Sequence, residues 1–515
     1  MDERQYFQLS EVCDALLKAE DTSLPRIAIP WLHILNEHPA HLAGYADLFA
    51  RHGTSRFRGV KQLAYLLWIL RPRFNRERPW YGLPSLPDRA DVVFVSHLLN
   101  KSQLGAAEDF YFGELPGALG VEGLTTVVAL LDHTGMDLRH LARYWTANSA
   151  PRVVFSRSLG WLDELKLWMQ LRKEACILRG LSARATSKLQ KDICDAAAVQ
   201  AVTPSSLATF RLYSQFQNLV ERLRPSSIVV TYEGHAWERI VFAAARAVNP
   251  AIRCVGYQHA VLFPRSHAIK RLLGWEYDPD VICTGGQVTH DVLASVPQLR
   301  DVPVVTVGTH RQEGSKSVLE HKLVSAKPPA CLVIPDGTLG ECLLILGFVL
   351  AAAKAATDVN FVVRMHPVMP FASVIAKDKR FRAMPRNIEI SDKSINDDFA
   401  RCRWAVYRGS GAAIRAVIAG LRPFYFKPYG ERLTIDPLYS LEMWRCIVST
   451  PSDLLDRIQH DLASDSETLE SEMREPRQFC TKYFTPINLE LFSRQITFWG
   501  RTSQVLHTKT SGLVS

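Results

Sequence analysis

From about residue 89 onward the chain alternates between two hydrophobic patterns. Short apolar runs rich in Val and Ile are separated by longer stretches with helical spacing. DVVFVSHLL (91–99), TTVVALLDH (125–133), PRVVFSR (151–157), SSIVVTYEG (226–234), IRCVGYQHA (252–260), DVICTGG (280–286) and VPVVTVG (302–308) are predicted strands. They are continuous rather than alternating, as strands buried on both faces of a parallel sheet must be. Residues 161–200 and 205–224 are predicted as long helices, and HAWERIVFAAARAV (235–248) as another. A second series begins at CLVIPDGTLGE (331–341). It continues through an apolar helix to about Ala356, then NFVVRMHP (360–367), NIEIS (387–391), WAVYRGSG (404–411), the helix AAIRAVIAG (412–420) and the strand PFYFKP (423–428). The expected fold class is therefore α/β, with two Rossmann-like lobes and a helical N-terminal addition.

The same pattern sets the domain boundaries. Residues 1–88 form a helical region, 89–310 a first lobe, 311–329 a polar linker ending in Pro328-Pro329, 330–486 a second lobe, and 487–515 a C-terminal helix and loose tail. Within 1–88, the apolar run Leu63–Leu70 is bracketed by cations: Arg51, Arg56, Arg58 and Lys61 before it, and Arg71, Arg73, Arg76 and Arg78 after it. Such a segment suits an anionic membrane surface. A core helix with solvated basic ends fits the same residues.

Composition narrows the function classes. Of the 515 residues, 47% are hydrophobic and 22% charged, which excludes a disordered, collagen-like or coiled-coil chain. The 61 basic and 52 acidic residues leave +9, a mild excess that suits a phosphate-bearing ligand or an anionic membrane face. No stacking-aromatic module accompanies it, so nucleic acid is not an expected partner. The ten cysteines include no C-x-x-C pair, which points to reduced thiols. The N-terminus has no apolar signal core, and no apolar run approaches the twenty residues or so that a membrane span needs. A cytoplasmic protein, peripheral on the inner membrane face at most, is expected.

In open α/β sheets ligands bind beyond the carboxyl ends of the strands, so the loops that follow strands are the places to search. In the second lobe, Arg364-Met365-His366-Pro367 ends a strand; Pro367 holds His366 extended, and Arg364 shares its strand face. Arg408-Gly409-Ser410-Gly411 leads from a strand into a helix, with glycines that admit a ligand and Ser410 at the N-cap. Asp336-Gly337-Thr338-Leu339-Gly340-Glu341 is a third strand-to-helix loop. Arg364, His366, Pro367, Arg408, Gly409, Ser410, Gly411, Gly337, Thr338 and Glu341 are thus candidate nucleotide- or phosphate-binding residues. Each loop could equally be a capped turn. Their placement in one lobe, after neighbouring strands, favours the phosphate reading.

In the first lobe an apolar strand delivers Glu233, with Gly234 permitting a tight turn and Glu238 placed to cap the next helix. The next strand ends in Gln258-His259-Ala260. Glu233 and His259 are the candidate catalytic pair, with His235 and Gln258 contacting the acceptor or ordering the loops. No H-E-x-x-H or Cys/His ligand set is present, and the D-x-D run Asp278-Pro279-Asp280 is a turn by composition, so no metal and no resident cofactor are expected.

RMHP followed some forty residues later by RGSGA resembles the paired His-Pro and serine motifs of bacterial glycosyltransferases that use CMP-activated acidic sugars. These include capsule β-Kdo transferases and sialyl- and polysialyltransferases. FYFGELPGAL (110–119), YEGHAWERIVFAAAR (232–246), GYQHA (256–260) and PDGTLGE (335–341) resemble surface-carbohydrate biosynthesis proteins, and the similarity spans roughly residues 90–440. The resemblance implies a GT-B architecture with a nucleotide-sugar co-substrate and a glycan or glycolipid acceptor. It implies that His366 and Ser410 contact the nucleotide phosphate, assisted by Arg364, and that Glu233 supplies the catalytic carboxylate. In the family's serine motif a second Ser or Thr is common; here Gly411 stands at that position. A UDP-sugar transferase, a nucleotide-sugar epimerase, and a non-catalytic polysaccharide assembly protein are the alternatives that this leaves open.

Overall fold

The computed structural model describes residues 1–49, 78–82, 86–137, 150–310 and 329–497. The basic apolar segment, with Arg71, Arg73 and Arg76, lies outside the described residues, as do the body of the expected linker and the tail beyond residue 497. Of the four cations after the apolar run, Arg78 alone is described, and it is exposed.

The two predicted lobes are present. The first is built on β1 (Trp80–Gly82), β2 (Val92–Leu98), β3 (Thr126–Asp132), β4 (Arg152–Phe155), β5 (Ser227–Thr231), β6 (Arg253–Gln258), β7 (Val281–Thr284) and β8 (Val304–Thr306). Their order in the sheet is β1-β4-β3-β2-β5-β6-β7-β8, and all pairings are parallel except that of β1 with β4. The second is built on β9 (Ala330–Ile334), β10 (Asn360–Val363), β11 (Ile388–Ile390), β12 (Trp404–Tyr407), β13 (Arg422–Phe426) and β14 (Cys446–Val448). Its order is β11-β10-β9-β12-β13-β14, parallel throughout. Counted from the first parallel strand of each lobe, both orders reverse at the first strand, which is the Rossmann winding. The fold is α/β with two Rossmann-like lobes, the GT-B arrangement.

The continuous apolar runs do what a doubly covered sheet requires: every residue of β4, β5, β7, β9 and β12 is buried. Two expectations need correcting. Residues 161–200 are not one helix but two, Trp161–Ala183 and Lys188–Ala201. The second starts where the Ser187 side chain accepts from the Gln190 amide, an N-cap that ends the run without Gly or Pro. And the region before residue 89 is not wholly helical, because β1 adds an antiparallel edge strand there.

The N-terminal helix Glu3–Leu17 and the turns after it brace both lobes. Asp14 accepts from Arg271 Nη1 at 2.9 Å and contacts His267 Nε2 at 3.0 Å. Burial would raise the Asp14 pKa, but the hydrogen bond with His267 and the Arg271 guanidinium outweigh it and bring it down to about 2. Toward the second lobe, His38 Nε2 lies 2.6 Å from Asp336 Oδ2 and Arg432 lies 3.3 Å from Asp2.

The chain leaves the first lobe at residues 307–310 and returns to it at 484–488, and these two described segments run side by side. Thr309 N donates to Thr485 O at 2.8 Å, Thr485 N to Gly285 O at 2.9 Å, and Asn488 N to Val307 O at 2.8 Å. Gly308 makes the approach possible: its φ is +89°, and a Cβ there would sit 2.0 Å from the Pro486 carbonyl oxygen. Beyond the second crossing, the helix Leu489–Thr497 packs on the first lobe, with Phe492 stacked near Phe94 at 6.3 Å between ring centroids and Ser227 bonded to the Ile496 carbonyl.

Candidate functional site

The loops after β5, β6, β9, β10 and β12 open onto one cavity of about 820 Å3 between the lobes. This is where two facing Rossmann units must put a ligand, since each presents its strand ends to the gap. From the first lobe the lining includes Glu108, Phe110, Glu233, Ala260, Val261 and His310. From the second it includes Thr338, His366, Pro367, Gly409, Ser410, Gly411 and Arg415.

Glu233 owes its position to its neighbours. The Glu238 carboxylate, one turn into the helix Ala236–Val248, accepts from the amides of Glu233 at 3.0 Å, Gly234 at 2.7 Å and His235 at 2.8 Å. Gly234 has φ +87°, and a Cβ there would lie 2.3 Å from the Ala268 carbonyl carbon, so only glycine closes this turn. Burial raises the Glu238 pKa well above the carboxylate range, and the nearby Glu233 adds to that. Glu233 itself is partly exposed, with His259 Nε2 3.7 Å from one carboxylate oxygen and His235 Nε2 3.9 Å from the other. Tyr111 holds the His259 ring edge-on, 4.7 Å between centroids. Gln258 is buried at the end of β6 and bonds the Ala260 carbonyl, so it orders this loop rather than facing the cavity.

Across the cavity, His366 takes the Val368 amide on Nδ1 at 3.3 Å. Gly337 packs against that ring, where a Cβ would come within 3.1 Å of Nδ1. Thr338 caps the helix Leu339–Ala355, and its amide and hydroxyl both donate to Asp336, at 2.6 and 2.9 Å. Burial would raise the Asp336 pKa, but the bonds from His38 and Thr338 hold it below the ordinary range. Gly411, not Ser410, holds the N-cap position of the helix Ala412–Ile418; Ser410 Oγ accepts from the Ala412 amide at 3.4 Å, and Arg415 lies one turn further along the cavity wall.

Three expected phosphate-binding side chains do not line the cavity. Arg408 and Glu341 face each other inside the second lobe, Nε to Oε2 at 2.5 Å, and Arg408 also reaches Glu431 at 2.5 Å and the Phe426 carbonyl at 2.8 Å. Arg408 is 2% exposed, and neither residue lines the cavity. Two carboxylates compete successfully for the guanidinium, so it braces the loop from beneath. Arg364 likewise turns away, to Asp398 at 3.2 Å and the Lys393 carbonyl. Truncating Arg408→Ala is expected to destabilise the fold by about 3–5 kcal/mol, because two buried carboxylates lose their cation. Urea denaturation checks this. A variant of wild-type stability that has lost nucleotide binding would return Arg408 to the cavity.

The sequence reading missed Asn36, His38 and His41, which the N-terminal region inserts into the cavity wall, and also His310 and Arg415. One signal was available: His38-Pro39 repeats the dipeptide of His366-Pro367. Among the described residues no cluster of His, Cys, Asp or Glu could hold a metal ion, and no helix is long and apolar enough to cross a membrane.

Neither a protein-family model nor a curated protein matches the chain. Solved structures with a similar fold include the UDP-GlcNAc 2-epimerase of Neisseria meningitidis bound to UDP-GlcNAc (11% identity, TM-score 0.42, covering 79% of this chain and 99% of that one). They also include Acinetobacter baumannii MurG (13%, 0.42, 79% and 98%) and an α,α-trehalose-phosphate synthase (UDP-forming) of Burkholderia vietnamiensis (9%, 0.44, 79% and 99%). These likenesses add nothing to the strand orders from which the fold is read.

Proposed function

We propose that this chain is a glycosyltransferase that moves a sugar from a nucleotide-sugar, a CMP-activated acidic sugar, onto a surface glycan or its lipid-linked precursor. The observation that carries the reading is the opposition of Glu233 to His366 and Ser410 across one cavity. A carboxylate on one wall and phosphate-binding groups on the other are the two ends that a glycosyl transfer needs. In the proposed step Glu233 takes the proton of an acceptor hydroxyl. The oxygen bonds to the anomeric carbon, and the bond from that carbon to the phosphate oxygen breaks, its electron pair leaving with the nucleotide. His366, the Ser410 hydroxyl and the Gly411 amide receive the charge that develops on the phosphate. Arg415 adds a cation to the same cavity, as the carboxylate of an acidic donor sugar requires. The reading keeps the cytoplasmic location expected from the sequence; the basic segment at residues 61–78, which would suit an anionic membrane face, lies almost wholly outside the described residues.

A thermal-shift screen against CMP, CDP, UMP, UDP and GDP tests the reading, since a ligand of the native state raises the melting temperature by mass action. A shift with CMP is the expected result. A shift with UDP alone moves the donor to the class that the same fold also suits. No shift with any nucleotide overturns the proposal and leaves a non-catalytic assembly role.

A further inference from the structure

Behind Glu233, on the side away from the second lobe, lies a separate pocket of about 220 Å3. At about 30 Å3 per water it has room for about seven waters, or one sugar ring. Among the described residues, Glu233 is the one that lines both this pocket and the large cavity. A base that lines both chambers can take the proton of a hydroxyl that reaches from the small one to a donor in the large one. We propose that the small pocket is the acceptor subsite and that it takes an uncharged sugar residue; this rests on the glycosyl-transfer reading above.

The lining specifies the occupant. It contains His97, His133, His235, Tyr111 and Thr231, with no Lys or Arg among the described residues. A carboxylate or phosphate would find no fixed cation here and would face Glu233. Hydroxyl groups would find partners everywhere, because a neutral imidazole both donates and accepts. His97 Nδ1 and His133 Nε2 already share a hydrogen bond at 3.0 Å, which makes them a relay. Desolvation, repulsion from His133 and the nearby His235 hold His97 well below the ordinary histidine range; desolvation holds His235 there too and lowers His133, so these three imidazoles are uncharged at pH 7. The second observation is Thr231. It ends β5 at 1% exposure, lines the pocket, and its hydroxyl makes no hydrogen bond among the described residues. A buried hydroxyl without a partner is costly, and a ligand hydroxyl would satisfy it. The Tyr111 ring, edge-on to His97 at 5.5 Å, supplies the flat apolar surface that the C–H face of a pyranose covers.

Saturation-transfer NMR on the full chain, with methyl glucoside, methyl galactoside, methyl mannoside, glucuronate and N-acetylneuraminate as probes, tests the proposal. The wild-type protein is expected to bind one or more neutral glycosides and neither acid. Thr231→Val, which keeps shape and removes the hydroxyl, is expected to weaken that binding at least about tenfold, the scale of one hydrogen bond to a buried group. His97→Gln, at the half-buried rim, is a second variant for the case that Thr231→Val lowers the melting temperature. Binding of the acids alone, or neutral binding indifferent to both variants, overturns the proposal. The nucleotide screen separates the two readings. Glycoside binding that depends on Thr231 without any nucleotide binding keeps the subsite and discards glycosyl transfer. Nucleotide binding with no glycoside binding does the reverse.

Discussion

Glu233→Gln is expected to abolish transfer almost completely while leaving nucleotide affinity as it was. Loss of a positioned general base costs about 10²–10⁴-fold in rate. The substitution keeps the size of the side chain and its place above the Glu238 carboxylate, which accepts from the backbone amides of this turn and so does not depend on the residue 233 side chain. The phosphate-binding groups lie on the other lobe and are untouched. The measurement is a single-turnover transfer assay beside calorimetry of the nucleotide. Both effects are needed: a fall in rate with unchanged affinity assigns Glu233 to the chemistry. If both fall, the carboxylate holds the lobes or the loop rather than the proton. If neither falls, His259, 3.7 Å away, is the group to test next.

The second large effect is expected on binding. His366→Ala should weaken nucleotide affinity by about 1–3 kcal/mol, the value of a hydrogen bond to a charged phosphate. That is a loss of about five- to 150-fold, which calorimetry resolves. The fold should tolerate the change, because His366 is only half-buried, in a loop after β10 at the cavity wall. Wild-type affinity in this variant would remove the phosphate role from His366 and leave the Ser410–Gly411 loop and Thr338 as the anion site.

How much of this was legible in the sequence depended on the range of the forces involved. Strands such as β5 and β12 announce themselves because a parallel sheet covered on both faces demands unbroken apolar runs. The strand-end loops then follow by topology alone, and with them Glu233, His366 and Ser410. The start of the helix at Lys188 was readable too, as a Ser187-x-x-Gln190 cap, but only by looking for caps rather than for Gly and Pro. β1 was not: it is three residues long and exists because β4 offers an edge. Nor was the inward turn of Arg408, whose partners Glu341 and Glu431 are 67 and 23 residues away. A loop arginine reads as a ligand until the competing carboxylates are located in space. His38 failed for the same reason, since its bond to Asp336 spans 298 residues.

The paired crossings between the lobes have a mechanical consequence. Two chain segments bonded edge to edge, one with its Gly308 pressed on the other's Pro486, behave as the two pins of a door. Sliding or twisting one lobe over the other would tear that row of bonds; a swing about the line of the pins leaves it intact. His310 and Phe484, which belong to the crossings, are also part of the cavity wall. They lie beside that line, while Glu233 and His366 belong to opposite lobes. The same swing would have to break or carry along the His38–Asp336 contact, so the N-terminal region fixes the angle at which base and phosphate site face each other.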